Sequence, residues 1–130
     1  MEQGSWKNVM HTSVFVTGID ERNICRTTVK RNAVIGLADA QENSKAVLKI
    51  SQGKTLGLLV DLREIRSISK EARDHFAMHN RQPGVSAIAM LIKSPLSRVV
   101  GNFFLGINMP SVPTNLFTSE EKAIAWLKKF

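Results

Sequence analysis

Hydrophobic and polar residues alternate in the opening third of the chain. In SVFVTG, Val14 and Val16 fall on one face, and in NICRTTVK the odd and even positions from Asn23 to Lys30 fall on opposite faces. The segment GIDERN lies between these runs, so the pattern predicts a β-hairpin. Because Arg26 lies among the even positions with Lys30, we expect the second strand to have one solvated, basic face.

The pattern then changes to helical spacing in LADAQENSKAVLKISQ, and Gly53 is placed to end this helix. The predicted helical face comprises Leu37, Ala40, Ser44, Val47, Leu48 and Ser51. Residues 55–62, TLGLLVDL, are apolar on both faces, which is typical of a central strand covered on each side. Asp61 closes that strand with a carboxylate.

Two further helices have recognisable first turns. Ser69 is a predicted N-cap, with Glu71 suited to the positive end of the helix dipole, so KEARDHFAMH is predicted to be helical. A Pro-Gly break precedes the apolar run of residues 85–92, which predicts a second central strand. Ser94 followed by Pro95 then marks another helix start, because proline lacks the N–H that would be unpaired there.

The helix that follows Pro95 is apolar around most of its circumference. Its predicted stripe comprises Leu96, Val99, Val100, Phe103 and Ile107, whereas Phe104 and Leu105 lie off that stripe. The surplus around Phe103, Phe104 and Leu105 predicts either ordinary burial beneath a loop or a surface for a partner or ligand. A homodimer is the commonest form of such an interface.

The chain ends with a short predicted strand at residues 115–117 and a final helix in SEEKAIAWLKKF, for which Thr118 and Glu121 form a predicted capping box. The predicted order is ββαβαβαβα. This order indicates an α/β fold, with residues 1–130 as a single domain built on a mixed β-sheet that has a largely parallel centre and packed helices.

Composition adds limits on partners and compartment. The 130 residues are 43% hydrophobic, enough for one buried core, and they carry a formal charge of +7. The basic residues are spread from Lys7 to Lys129, so we predict that nucleic acid is an unlikely partner even though the charge favours anions. No apolar run is long enough for a membrane span, and a signal-peptide core is not evident.

Cys25 is the single cysteine of the chain, which excludes an internal disulfide and a cysteine-based zinc cage. We therefore expect a cytoplasmic protein in which Cys25 is a small buried hydrophobe. His75 and His79 are four residues apart, but Phe76 replaces the glutamate of the metalloprotease motif, and Gly53-Lys54-Thr55 lacks the first glycine of a phosphate-binding loop. We predict neither a metal nor a cofactor.

Charged residues surround the predicted turn and helix start after Asp61. Arg63, Arg66, Lys70 and Arg73 recur at intervals of three and four, among the carboxylates of Glu64, Glu71 and Asp74. These residues could form an anion-binding face with the helix N-terminus, or they could form mutual salt bridges on a solvated surface. Asp61 itself could be a ligand or general base, although such an aspartate more often accepts hydrogen bonds from the backbone N–H groups of its turn.

The segment DLREIRSISKEAR resembles a motif of the anti-sigma-factor antagonist, or STAS, domain, D-L-S-x-V-x-x-I-D-S-S-G-L. Asp61-Leu62, Ile65 and Ile68 run in step with it, and the element order is similar over most of the chain. Residues 55–130 also resemble an uncharacterised bacterial STAS-like group that carries phrases like VDLR, SISKEAR and SPLSRVVGNFF. The resemblance implies a STAS-like fold.

In antagonists of this family, the second serine of D-S-S-G is phosphorylated by a partner kinase, and the added charge breaks their complex. The four matching positions here are Ser69, Lys70, Glu71 and Ala72, so glutamate replaces that serine. Ser67 and Ser69 remain as nearby hydroxyls.

The resemblance therefore implies a non-catalytic protein-interaction or regulatory module without the usual phosphoserine. Its predicted partner- or anion-binding loop contains Arg63, Arg66, Ser69, Lys70, Glu71 and Arg73. Because STAS domains resemble CRAL-TRIO lipid-binding domains in general fold, the alternative is a small-molecule or lipid-like ligand domain that uses Phe103, Phe104 and Leu105.

Overall fold

The computed structural model describes residues 5–79, 84–105 and 112–130, with the side chains of 77–79 outside the description. Predictions for His79 and Ile107 therefore lie outside the described side chains. The elements, in chain order, are β1 (Lys7–His11), β2 (Phe15–Ile19), β3 (Cys25–Val29), β4 (Ala33–Ile35), α1 (Leu37–Ser51), β5 (Leu56–Asp61), β6 (Ile65–Ile68), α2 (Lys70–His79), β7 (Val85–Leu91), α3 (Pro95–Leu105), β8 (Thr114–Phe117) and α4 (Glu120–Leu127).

The main sheet has the strand order β1-β2-β3-β5-β7-β8. β1, β2 and β3 pair antiparallel, whereas β3, β5, β7 and β8 pair parallel. The predicted hairpin, the central apolar strands and the mixed sheet with a parallel centre are confirmed. No helix in the described parts of the chain has both the length and the apolar character that crossing a membrane requires.

Three short strands are absent from the sequence prediction. β1 pairs with β2 across an irregular register, which includes Asn8 at a φ of 56°, so β1 has no clean period of two. β4 and β6 form a separate two-stranded parallel sheet, and Ile35 in β4 pairs with Ile68 in β6. What the sequence presents as a turn after Asp61 therefore contains a strand.

Apolar residues cover both faces of the main sheet. On one face, Phe15, Ile88 and Met90 belong to a cluster that includes residues of α1, α2 and α3. On the other face, Leu59, Ala89 and Leu91 pack with α4 through Ala123, Ile124 and Leu127. The parallel strands β5 and β7 contribute to both clusters, which explains why their sequences are apolar at successive positions.

The predicted solvated face of β3 is wrong. Arg26 is only 3% exposed, because β3 lies inside the sheet between β2 and β5 rather than at an edge. Alternation between polar and apolar residues indicates which side chains share a face, but it does not show what covers that face. Here, the polar side chain of Arg26 is covered and paired with carboxylates.

The helices differ from their predicted faces in detail. In α1, Leu37 and Leu48 are 41% and 51% exposed, and the buried face instead comprises Ala40, Asn43, Ala46, Val47, Ile50 and Ser51. The left-handed conformation that ends α1 begins at Gln52, one residue before Gly53. The N-cap of α4 is Ser119 rather than Thr118, because the Ser119 hydroxyl accepts from the backbone N–H of Lys122.

The buried face of α3 also differs from the predicted stripe. Ser97, Val100, Gly101 and Phe104 are buried, whereas Leu96 and Val99 are 41% and 66% exposed. A Cβ at Gly101 would lie 3.0 Å from a Leu116 methyl and 3.1 Å from an Ile92 methyl. Glycine thus lets α3 approach the sheet closely, and this close contact determines which face is buried.

Candidate functional site

The segment after β5 begins with a carboxylate that organises its own turn. Asp61 Oδ1 accepts hydrogen bonds from the backbone N–H and the Nε of Arg63, both at 3.0 Å. Asp61 Oδ2 accepts from the Arg63 guanidinium at 2.7 Å. This hydrogen bonding raises the pKa of Arg63 above its ordinary value. Of the two interpretations of Asp61, the structure therefore shows the turn-forming one.

The next part of the segment fixes the start of α2. The Ser69 hydroxyl accepts from the backbone N–H of Ala72 at 3.1 Å, which confirms the predicted N-cap. The backbone N–H of Ser69 donates to the Ile35 carbonyl at 2.9 Å, so the cap is anchored to β4. Because Ile65 and Ala72 are buried on either side of it, the connection is built into the core.

The four basic residues of the segment have different surroundings. Arg63 points toward α4, with its guanidinium 3.6 Å from a Glu120 carboxylate oxygen. Lys70 is exposed and pairs with Asp74 at 2.8 Å, one helical turn later. The guanidinium of Arg73 lies 4.9 Å from the ring centre of Phe103.

Arg66 and Glu71 are both exposed, in β6 and in the first turn of α2 respectively. Lys70 thus pairs with Asp74 and Arg73 packs on α3, whereas Arg63 belongs to a different group of charges. The 63–73 segment presents exposed charges of both signs on a fixed backbone.

The apolar candidates on α3 also divide among different surroundings. Phe104 is 5% exposed and packs edge-on against Phe76, with ring centres 6.1 Å apart. Phe103 is half-buried between Phe104 and Arg73, whereas Leu105 is 43% exposed. Phe104 is thus a core residue, and Leu105 together with Leu96 and Val99 supplies the exposed apolar surface of α3.

An apolar cavity of about 80 Å³ lies between the main sheet and its helices. Its polar lining consists of Thr27, Asn43 and Ser44. Its apolar lining consists of Phe15, Ile35, Val47, Leu58, Val60, Leu62, Ile68, Phe76, Val85, Ile88, Met90 and Phe104. Ligand pockets usually measure roughly 300–1,000 Å³, so this space suits a small apolar group rather than a lipid-sized molecule.

Hydrogen bonds organise the polar side of this cavity. Asn43 Nδ2 donates to the Thr17 hydroxyl at 3.0 Å, and that hydroxyl lies 3.2 Å from the Thr27 hydroxyl. The Ser44 hydroxyl lies 2.9 Å from Nε2 of His75, which links α1 to α2. The described residues contain no group of three or more potential metal ligands, and the side chain of His79 lies outside them.

Cys25 is 2% exposed, and burial, followed by the nearby charge of Asp20, raises the pKa of its thiol to about 12. The thiol therefore stays protonated at neutral pH and lacks the thiolate that a nucleophile requires. The predicted role of Cys25 as a small buried hydrophobe is confirmed.

A network of opposite charges that no sequence pattern indicated lies on the α4 side of the sheet. Arg26 donates to Asp20 at 3.2 Å and lies 3.2 Å from Glu120, which in turn lies near Arg63 and its partner Asp61. Asp20 and Arg26 have side chains only 3% and 4% exposed. These charges lie on the β2–β3 turn, β3, the end of β5 and α4. Because the four elements are far apart in sequence, no local sequence pattern reveals the network.

A family model for a domain of unknown function, DUF7793, matches residues 18–130. The chain belongs to the DUF7793 family. A search of curated proteins found no match for it. The crystal structure of an uncharacterized protein from the DUF3478 family, with a SpoIIAA-like fold and from Shewanella loihica PV-4, is similar at a TM-score of 0.60 and 17% identity. The match covers 91% of the DUF7793 chain and 98% of the chain in the crystal structure.

This similarity confirms the STAS-like fold that the segment after Asp61 suggested. At 17% identity the similarity concerns the fold, and it assigns no role to individual side chains of the DUF7793 chain.

Proposed function

We propose that this DUF7793 chain is a single STAS-like domain that acts as a non-catalytic interaction module and docks a partner protein through residues 63–73. The observation that carries the proposal is the combination of a fixed backbone and exposed charges in this segment. The side chains of Asp61 and Ser69 accept hydrogen bonds from backbone N–H groups of the segment itself, whereas Arg66, Lys70 and Glu71 remain exposed. A preorganised charged surface favours specific encounter with a complementary partner.

Glu71 gives this surface a constant negative charge at the position that aligns with the phosphorylated serine of anti-sigma-factor antagonists. Phosphorylation cannot switch a glutamate, so the proposed docking is constitutive at this position. A STAS-like fold is generally non-catalytic, which supports an interaction role. We also place the protein in the cytoplasm, because its single thiol suits a reducing compartment.

Charge reversal tests the docking surface. We expect Arg66→Glu to reduce capture of the partner that the wild-type protein retains, because a repulsive charge enters the proposed contact. Lys49→Glu is the control, since Lys49 is also an exposed basic residue and lies in the last turn of α1, outside both residues 63–73 and α3. If both variants capture the same partner as the wild type, by quantitative pull-down at low and high salt, docking through this surface is wrong.

We further propose that the module is a homodimer that uses the exposed apolar side chains of α3. Val99 is 66% exposed, with Leu96 and Leu105 also on the surface. Val99→Glu would then lower the dimer fraction in sedimentation equilibrium, whereas Gln41→Glu, at an exposed polar position of α1, would leave the dimer fraction at the wild-type value. A wild-type protein that sediments as a monomer at high concentration would refute the dimer.

Binding of a small apolar ligand is the second candidate function, and the cavity that Phe104 lines favours it. A volume of about 80 Å³ admits only a small apolar group, so a lipid-like chain would require α2 and α3 to move away from the sheet. Native mass spectrometry of protein purified from its own host tests this candidate. A retained small molecule would support it, and a retained stoichiometric protein would support docking.

A further inference from the structure

A second cavity, of about 440 Å³, lies on the α4 side of the sheet. Its volume falls within the usual range of ligand pockets, which is roughly 300–1,000 Å³. Its walls combine Ser5 and Trp6 with three arginines, Arg22, Arg26 and Arg63, and three carboxylates, Asp20, Glu21 and Glu120. We call this space the arginine cleft. It shares Arg63 with the proposed docking segment, whereas Arg66 and Lys70 do not line it, and phosphate binding in it requires no docked protein.

Arg26 is a built part of the arginine cleft rather than a surface charge. Its side chain is 4% exposed, one of its nitrogens donates to Asp20 at 3.2 Å, and its guanidinium lies 5.3 Å from the ring centre of Trp6. Burying ion pairs contributes little net stability, because desolvation offsets much of the attraction between the charges. A buried arginine held at the wall of a cavity of ligand size therefore suggests recognition of an anion.

Glu120 occupies the position where two guanidinium groups converge. Its carboxylate oxygens lie 3.2 Å from Arg26 and 3.6 Å from Arg63, and its side chain is 39% exposed. Asp20 and Asp61, by contrast, are almost fully buried and also accept hydrogen bonds from backbone N–H groups. Among the carboxylates of this network, Glu120 can therefore move away from Arg26 and Arg63 with the smallest structural change.

We infer that the arginine cleft binds the phosphate group of a phosphate monoester, which replaces the carboxylate of Glu120 between Arg26 and Arg63. Guanidinium groups match phosphate oxygens through paired N–H donors, which Arg26 and Arg63 both carry. Arg22 at the rim is paired with Glu21 at 3.5 Å and adds no net charge. The cleft adjoins the N-terminus of α4, whose dipole favours an anion. The formal charge of +7 raises the encounter rate with anions.

Competition between Glu120 and the ligand gives a sharp test. Titration of the protein with inorganic phosphate, at ionic strength held constant with sodium chloride, is followed by NMR through the indole N–H of Trp6 and the side chain of Arg26. Removing the competing carboxylate in Glu120→Ala should tighten phosphate binding about fivefold, which corresponds to a partly exposed ion-pair contact of about 1 kcal/mol. Glu121→Ala is the control, because it removes the neighbouring exposed carboxylate of the same helical turn.

Three results would overturn the inference. Equal tightening in Glu120→Ala and Glu121→Ala would show only a general effect of net charge. Phosphate-dependent shifts that leave Trp6 and Arg26 unchanged would place the anion elsewhere. Acetate that binds Glu120→Ala as tightly as phosphate does would assign the cleft to a carboxylate ligand instead. Glu120→Gln, which keeps the length of the side chain, repeats the comparison if the alanine variant does not fold.

Discussion

Replacing Ser69 with alanine tests whether the connection between β6 and α2 is fixed by its cap. The Ser69 hydroxyl accepts from the backbone N–H of Ala72 at 3.1 Å, and alanine would leave that N–H without its side-chain acceptor. Loss of a serine N-cap lowers the free energy of unfolding by about 1 kcal/mol. For a domain of this size, the corresponding decrease in Tm is roughly 4 °C.

Urea unfolding followed by circular dichroism measures this change, with two companion variants. Ser67→Ala is the matched control, because it makes the same substitution within β6 and leaves the cap intact. Ser69→Asp keeps an acceptor at the cap and adds a negative charge at the positive end of the helix dipole, so it should stay within about 0.5 kcal/mol of the wild type.

A Ser69→Ala variant that is no less stable than Ser67→Ala would show that the hydroxyl does not stabilise the start of α2. A Ser69→Asp variant that is destabilised as much as Ser69→Ala would also contradict the capping role. The lower free energy of unfolding could then not come from the missing hydrogen-bond acceptor.

Three further predictions concern buried residues. Asp20→Ala should lower the free energy of unfolding by about 3–5 kcal/mol, because it removes the buried carboxylate that pairs with the buried guanidinium of Arg26. The pKa of Cys25 is raised from 9.0 to about 12, so its contribution to stability is complete below pH 9 and decreases as pH rises toward 12, by up to about 1.4 kcal/mol per pH unit. Gly101→Ala should cost about 1–3 kcal/mol, because its methyl would lie 3.0 Å from a leucine methyl of β8.

Each of these has its own contradicting result in denaturant unfolding. Glu21→Ala removes an exposed carboxylate beside Asp20, and equal effects of the two variants would show that the buried pair is unimportant. Cys25→Ala should be less sensitive to alkaline pH than the wild type, and parallel curves for the two proteins would contradict the thiol contribution. A Gly101→Ala variant as stable as the wild type would mean that α3 can shift away from the sheet.

Local patterns predicted much of the fold. The apolar runs of β5 and β7 and the helical spacing of α1 each lie within a single element, so periodicity alone identifies them. Ser69 and Ser94 were found as helix starts because a cap and its N–H partner lie three residues apart. β4 and β6 were missed because each is only three or four residues long and is held by pairing with the other.

The same distinction separates the parts of the candidate site. The contact between Asp61 and Arg63 spans two residues, and the sequence suggested it. The contact between Arg26 and Glu120 spans most of the sequence. The alternation of residues in β3 predicted a solvated Arg26, because such alternation carries no information on which strand lies inside the sheet. The arginine cleft could therefore be recognised only from the assembled sheet.

The two edges of the main sheet limit how this protein can associate with other chains. β1 carries the exposed side chains of Lys7 and Asn8 and an irregular register, and β8 at the opposite edge is four residues long. Charged, bulged or short edge strands are poor templates for the addition of a further strand. Continuous sheets across molecules, and the aggregation that follows from them, are therefore disfavoured, and assembly is directed to side-chain contacts of helices and loops.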